Sequence, residues 1–130
     1  MKKAHDDDIL IHPARGKNEK PLPSTAIIVP NPAEAQIARE EMVRHGGESR
    51  FLYNSQLLVD AGQRFCVAGP ALGAPAAGLV LEKLIALGVR RVWLFSCCGS
   101  INRNYRIGDI IIGTSGISGE GVSSYYGNLK

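Results

Sequence analysis

Two short stretches of this chain place chemically useful side chains beside a tight backbone. They are Val29-Pro30-Asn31-Pro32-Ala33-Glu34 and Ser96-Cys97-Cys98-Gly99-Ser100-Ile101. Each follows an apolar run that reads as a buried strand, and open α/β sheets place ligands in loops beyond the carboxyl ends of their strands. In the first stretch Asn31 is suited to cap a helix and Pro32 to its first position. Glu34 then falls in the first turn, where the helix dipole favours a carboxylate. In the second stretch a nucleophilic cysteine would need a partner base or a helix N-terminus. The three histidines, His5, His12 and His45, all lie far from it in sequence. The plainer reading makes Cys97 and Cys98 small apolar fillers whose loop N–H groups can still line a pocket. Asp109, in Gly108-Asp109, reads as a turn former rather than an acid catalyst.

The elements that must position these loops follow from the pattern of apolar residues. Ala26-Ile27-Ile28-Val29 is a β-branched run bounded by Ser24-Thr25 and Pro30, a first buried strand. The helix begun at Asn31 has Ile37, Met42 and Val43 as its apolar face and ends at Gly46-Gly47. Residues 49–59 alternate weakly and read as one strand, followed by the turn Asp60-Ala61-Gly62-Gln63 and a strand over Arg64–Ala68 paired to it as a hairpin. Gly69 to Gly73 forms a glycine-rich loop. A helix from about Ala74 to Leu87 packs through Leu79, Val80, Leu84 and Leu87 and stops at Gly88. Val89–Phe95, with the only tryptophan, Trp93, reads as a buried strand, and Ile107–Gly113 as another. A strand–helix–strand unit of this kind implies a right-handed crossover. The expected fold is α/β, a mixed and mostly parallel sheet with helices on both faces. Residues 1–24 read as an N-terminal arm, polar and holding three of the seven prolines, with no regular structure from Ala14 to Pro23.

Composition narrows the function classes. With 130 residues the chain can build one domain with a modest core, and 45% hydrophobic and 21% charged residues are ordinary for a globular protein. The net charge of +3 is spread along the chain, with Lys2-Lys3 and Arg90-Arg91 the only adjacent basic pairs, so no nucleic-acid footprint is expected. Three cysteines, two of them adjacent, make neither a disulfide framework nor a CxxC metal pair, and fit a reducing cytoplasm. The start, Met1 to Asp8, turns acidic where a signal peptide would be apolar, and no apolar run is long enough to span a bilayer. Gly69-Pro70-Ala71-Leu72-Gly73 lacks the GxGxxG spacing, and no acidic residue ends the next strand, which argues against a dinucleotide-binding unit.

Taken in order, five pieces from Thr25 to Tyr126 resemble the nucleoside phosphorylase and nucleosidase family. They are the Val29–Glu34 junction, Gly69 with Gly73, Ser96-Cys97-Cys98-Gly99 at the family's GTxG turn, Ile107-Gly108-Asp109 at its VGD, and Glu120-Gly121-Val122-Ser123 at its EGTS segment. The resemblance implies cleavage of a nucleoside's N-glycosidic bond through an oxocarbenium-like transition state, by phosphorolysis. It implies no metal or organic cofactor, phosphate as co-substrate, and a homo-oligomer with shared sites. It also implies substrate or phosphate contacts from Asn31, Ser96, Cys97, Cys98, Gly99 and Ser123. Arg50 would be lent by a neighbouring subunit, and His12 would reach a neighbour's sugar 5′ hydroxyl.

The chain departs from that pattern in two ways. Phosphorylases of this type clamp phosphate with arginines, whose planar guanidinium binds it bidentately. Leu94 stands where one arginine should precede the GTxG turn, and Ala33, Glu34 or Ala35 where another belongs. The phosphate-binding threonine is Cys97. The nucleosidase branch instead carries an acidic residue in the first loop that helps activate water, and Glu34 falls there, so hydrolysis is the alternative chemistry with Glu34 its catalytic residue. The second departure is length. Family members are about twice as long, and their remaining half supplies a ribose-binding Met-Glu pair, a base-stacking aromatic and a catalytic Asp. Residues 25–130 thus correspond to the N-terminal part of such a domain, and the expectation is a fragment that is not catalytically competent alone. A non-catalytic binding domain is the remaining reading.

Overall fold

The computed structural model describes residues 13–126. Five strands and two helices follow in the order β1 (Thr25–Ile28), α1 (Pro32–Arg44), β2 (Glu48–Leu52), β3 (Ser55–Val59), β4 (Cys66–Gly69), α2 (Ala74–Ala86) and β5 (Arg91–Leu94), with a short 3-10 turn at Ser123–Tyr125. The strands form one sheet in the order β2-β3-β4-β1-β5. β1 pairs in parallel with β4 and β5, while β3 is antiparallel to both β2 and β4. Four of the five strands therefore run the same way and only β3 is reversed, which makes the sheet mixed and mostly parallel as expected.

The two-residue period of a strand explains how one short β1 serves two layers. Ala26 and Ile28 point into a cluster with Leu57, Val59, Cys66 and Ala68, which α2 covers with Val80, Leu84 and Leu87. Ile27 and Val29 point the other way, with Val67 and Phe65, and α1 covers them with Ala35, Ala38 and Met42. The helices lie on opposite faces. α1 starts as its sequence dictates: the Asn31 side chain accepts from the Ala33 N–H at 2.9 Å and Pro32 opens the helix. Gly46 at φ +78° and Gly88 at φ +110° carry the chain out of the two helices in a region where side chains are strained.

Several sequence expectations need correction. Residues 49–59 are two strands, not one, folded back on each other at Tyr53-Asn54. Ile37 and Val43 are exposed; α1 packs through the smaller Ala35 and Ala38 because β1 and β4 approach it closely there. Leu79 is likewise exposed while the rest of the expected α2 face is buried. β5 is not a buried strand: Trp93 is 55% exposed, since only β1 flanks it and its other edge is open among the described residues. No strand forms over Ile107–Gly113, because a β-branched run makes a strand only when an edge pairs with it.

The irregular stretch before β1 is docked on the body. Leu22 is buried and its N–H donates to the Leu87 carbonyl at 2.9 Å. The Lys83 ammonium donates to the Ala14 carbonyl at 2.9 Å and pairs with Glu19 at 2.6 Å.

Candidate functional site

The carboxyl ends of the central parallel strands are drawn together by their own backbones. Past β1, the Val29 N–H donates to the Ala68 carbonyl at 2.8 Å, and the Ile28 carbonyl accepts from the Phe95 N–H at 2.9 Å. The Ala71 N–H then donates to the Pro30 carbonyl at 3.0 Å, and Ser55 Oγ donates to the Pro70 carbonyl at 2.6 Å. Ser55 was not singled out from sequence. Because β3 is reversed, its first residue lies at the edge where the parallel strands end, which only the topology shows. The approach is tight: a Cβ on Gly69 would sit 2.2 Å from the Val29 carbonyl oxygen, so only glycine fits.

On this edge the structure joins two residues that the sequence placed in separate loops. Glu34, one turn into α1, reaches across so that its Oε1 accepts from the Cys97 N–H at 3.2 Å. Its Oε2 is buried without a hydrogen-bond partner. A carboxylate oxygen hidden from water without a donor is costly and marks a place worth explaining. None of the ion pairs among the described residues involves Glu34. Hydrogen bonding to Glu34 first, and its charge second, pushes the exposed Cys97 thiol above its ordinary value. That disfavours the thiolate a nucleophilic cysteine would need. Chemically, the junction offers a carboxylate held by a backbone donor beside an open loop; a Cβ built on Gly99 would meet nothing within 4 Å. Ser96 Oγ turns onto the Cys97 carbonyl at 3.5 Å. Asn31 lies at the same edge, with its side-chain oxygen engaged in capping α1.

The other expected residues stand apart. Arg50 is on β2, the strand at the opposite edge of the sheet from β5. Its side chain, 15% exposed, pairs with Glu48 at 3.0 Å and donates to the Pro21 carbonyl at 3.2 Å. It lines a cavity of about 390 Å³ with Glu19, Lys20, Phe51 and Leu57, away from Glu34. Ser123 is half-buried in the 3-10 turn, where its N–H donates to the Glu120 carboxylate at 3.1 Å. Bonds from Ser123 and Val122 hold the Glu120 carboxyl below its ordinary range. The turn is tied to α2, with Tyr126 Oη donating to Glu82 at 2.8 Å. His12 lies outside the described residues.

Among the described residues no group of three or more His, Cys, Asp or Glu side chains could hold a metal ion, and no helix is long and apolar enough to cross a membrane. The family match extends over residues 24–129 and is to the phosphorylase superfamily. A uridine phosphorylase of Haemophilus influenzae is 29% identical over 69 residues, which are 53% of this chain and 27% of that protein. A guanosine phosphorylase of Halorubrum lacusprofundi is 25% identical over 69 residues, 53% of this chain and 29% of its own length. The matched stretch thus spans less than a third of either relative. No solved structure matches. A parallel-strand edge with the ordered loops described above, and a family match that takes in every element of the sheet, lead to one conclusion: the chain belongs to the phosphorylase superfamily.

Proposed function

We propose that this chain contributes the first part of a nucleoside-cleaving site, and that the bond broken is the N-glycosidic bond between base and sugar. Residues 25–130 are read as the N-terminal part of that domain and residues 1–24 as an arm. Phosphorolysis is the first reading, supported by the family and by relatives named as uridine and guanosine phosphorylases. A phosphate oxygen attacks the anomeric carbon as the C–N bond breaks, and the bond's electron pair leaves with the base. The loop N–H groups of Ser96 to Gly99 are the donors this chain offers the anion, with Asn31 and Ser123 as further polar contacts. Arg50, remote from Glu34 within one copy, would serve a neighbouring copy's site in a homo-oligomer, as would His12. Assembly in the cytoplasm belongs to the same proposal.

One observation favours a second reading, hydrolysis. Glu34 sits on the Cys97 N–H, where phosphorolysis would place an anion, and among the described residues makes no ion pair with a cation that would offset its repulsion of phosphate. A carboxylate there can instead take a proton from water as the water attacks, a role worth roughly 10²–10⁴-fold in rate.

Base release from a nucleoside panel, with and without inorganic phosphate, separates the two. Release that requires phosphate and survives Glu34→Gln supports phosphorolysis. Release without phosphate that falls about 10²-fold in Glu34→Gln supports hydrolysis. No release from any nucleoside by the protein expressed from its native gene, with binding retained, would leave a binding domain and end both catalytic readings.

A further inference from the structure

Cys97 and Cys98 are adjacent, free and exposed, and Cys97 is the residue whose N–H holds Glu34. The loop around them has no regular structure from Phe95 to Ser100, and the space beside Gly99 is open. We infer that Cys97 and Cys98 form a dithiol that closes to a vicinal disulfide under small-molecule disulfide oxidants, reopens on reduction, and on closing releases the loop from Glu34. The release rests on the part given to Glu34 above; the disulfide does not.

Reversibility follows from geometry. Bridged cysteines usually hold their Cα atoms roughly 4.4–6.8 Å apart. Consecutive Cα atoms across a trans peptide are only about 3.8 Å apart, and in an extended chain neighbouring side chains point to opposite sides. Closing the bond must therefore twist the intervening peptide and store strain. Strained, exposed disulfides have the more oxidising potentials and belong to the labile class. This loop can accept the twist because its residues are exposed and displace no packed core. The same twist acts beside the Cys97 N–H, which is 3.2 Å from Glu34 Oε1. Since Oε2 has no partner already, the loss leaves the carboxylate with neither donor.

The chemistry balances with a disulfide RSSR as oxidant. One thiol loses its proton to solvent and attacks a sulfur of RSSR, forming a mixed disulfide and expelling RS⁻. The neighbouring thiol, deprotonated in turn, attacks the protein sulfur of that mixed disulfide and expels the second RS⁻. The net change is two protein thiols oxidised to one disulfide and RSSR reduced to two RSH. Glu34 beside Cys97 favours Cys98 as the first attacker, because the carboxylate disfavours the Cys97 thiolate.

The test treats the folded chain with oxidised glutathione, blocks remaining thiols with N-ethylmaleimide, and maps the digest by mass. The expected product is a peptide carrying both Cys97 and Cys98 lighter by two hydrogens, reverting with dithiothreitol, while Cys66 is alkylated only after denaturation. On oxidation the Cys97 amide should exchange with deuterium about tenfold faster, the loss of one hydrogen bond to a charged group. Cys97→Ser, its fold checked by circular dichroism, should stop at a glutathione adduct on Cys98. A stable adduct on the unsubstituted chain, with no bridge, would refute the dithiol. A bridge with unchanged Cys97 exchange would refute the link to Glu34. Both readouts are independent of turnover, so a chain that cleaves no nucleoside can still pass or fail them.

Discussion

The body from Thr25 to Leu94 and the run from Phe95 to Gly121 are made of much the same residues and end up in opposite states. In the body, Ile28, Leu57, Leu58, Val59 and Leu84 are buried almost completely. In the run, Ile101, Ile107, Ile110 and Ile117 are as exposed as in an extended peptide. Glycines divide the same way: Gly69 has a carbonyl pressed against it, while Gly99, Gly113, Gly116 and Gly119 have nothing within 4 Å of where a side chain would begin. Intrinsic preference for strand is therefore not what separates the two regions. A strand needs a neighbour, and β1 has two while the run has no strand partner among the described residues. Exposed apolar runs of this kind mark surfaces that other chain segments cover.

The sharpest way to break the contrast is to cut equal amounts of aliphatic side chain from each region. Leu84→Ala, at a site with no solvent exposure in the α2 face of the core, should cost about 2–5 kcal/mol in urea unfolding. Ile107→Ala should stay within about 0.5 kcal/mol, as at exposed sites generally. Equal losses would mean that the run packs against something in solution.

A second pair compares the glycines. Gly69→Ala forces a methyl group to within 2.2 Å of the Val29 carbonyl oxygen, backbone that cannot step aside, and should cost about 1–3 kcal/mol or more. Gly113→Ala should be nearly silent in the same unfolding experiment. A silent Gly69→Ala would show that β1 and β4 separate more easily than their register implies.

How far the sequence could be read tracks this contrast. β1, the Asn31 cap, Pro32, Gly46 and Gly88 were legible because their signals are local: a β-branched run, a capping side chain, a glycine where φ must be positive. The sidedness of α1 was not, since whether Ile37 or Ala35 faces the sheet depends on how closely β1 and β4 come to the helix. Ile107–Gly113 carries a strand's composition, but pairing is a property of the partner. At the candidate site, Glu34 and the Cys97 loop were each visible in sequence. Their contact was not, because 63 residues separate them and only the parallel register of β1 with β5 brings them together. Arg50 shows the converse: its type suits an anion, yet its place on β2 keeps it at the far edge.

The three thiols sample both regions and give a smaller effect, read as reactivity. Cys66, in the fully buried β4, has its thiol pushed up to about 11 by burial. A thiol reagent at neutral pH should therefore label Cys97 and Cys98 in the native protein and Cys66 only once denaturant is added. Native labelling of Cys66 at a comparable rate would mean that the core opens readily around β4.

The smallest expected effect concerns the stretch before β1, which is irregular like the run but docked like the body. Its anchor is Lys83, whose ammonium reaches both Glu19 and the Ala14 carbonyl. The bond from Lys83, and then the Gly16 N–H, lower the Glu19 carboxyl from its ordinary 4.5. A carboxyl lowered on folding binds its proton more weakly in the docked state than in the free one. Its contribution is therefore fully present above pH 4.5 and fades as the pH falls below that value through the docked one. Glu19 is more than a third exposed at its side chain, with solvent screening to match, so the effect is local rather than global. Deuterium exchange at the Leu22 amide, bonded to the Leu87 carbonyl, should quicken below pH 4.5, after correction for intrinsic rates, while amides of β1 stay protected. Lys83→Met should remove that pH dependence. If the Leu22 amide instead stays as protected in Lys83→Met at every pH, docking is governed by the burial of Leu22, and irregular backbone is held here by the apolar contacts that the run lacks.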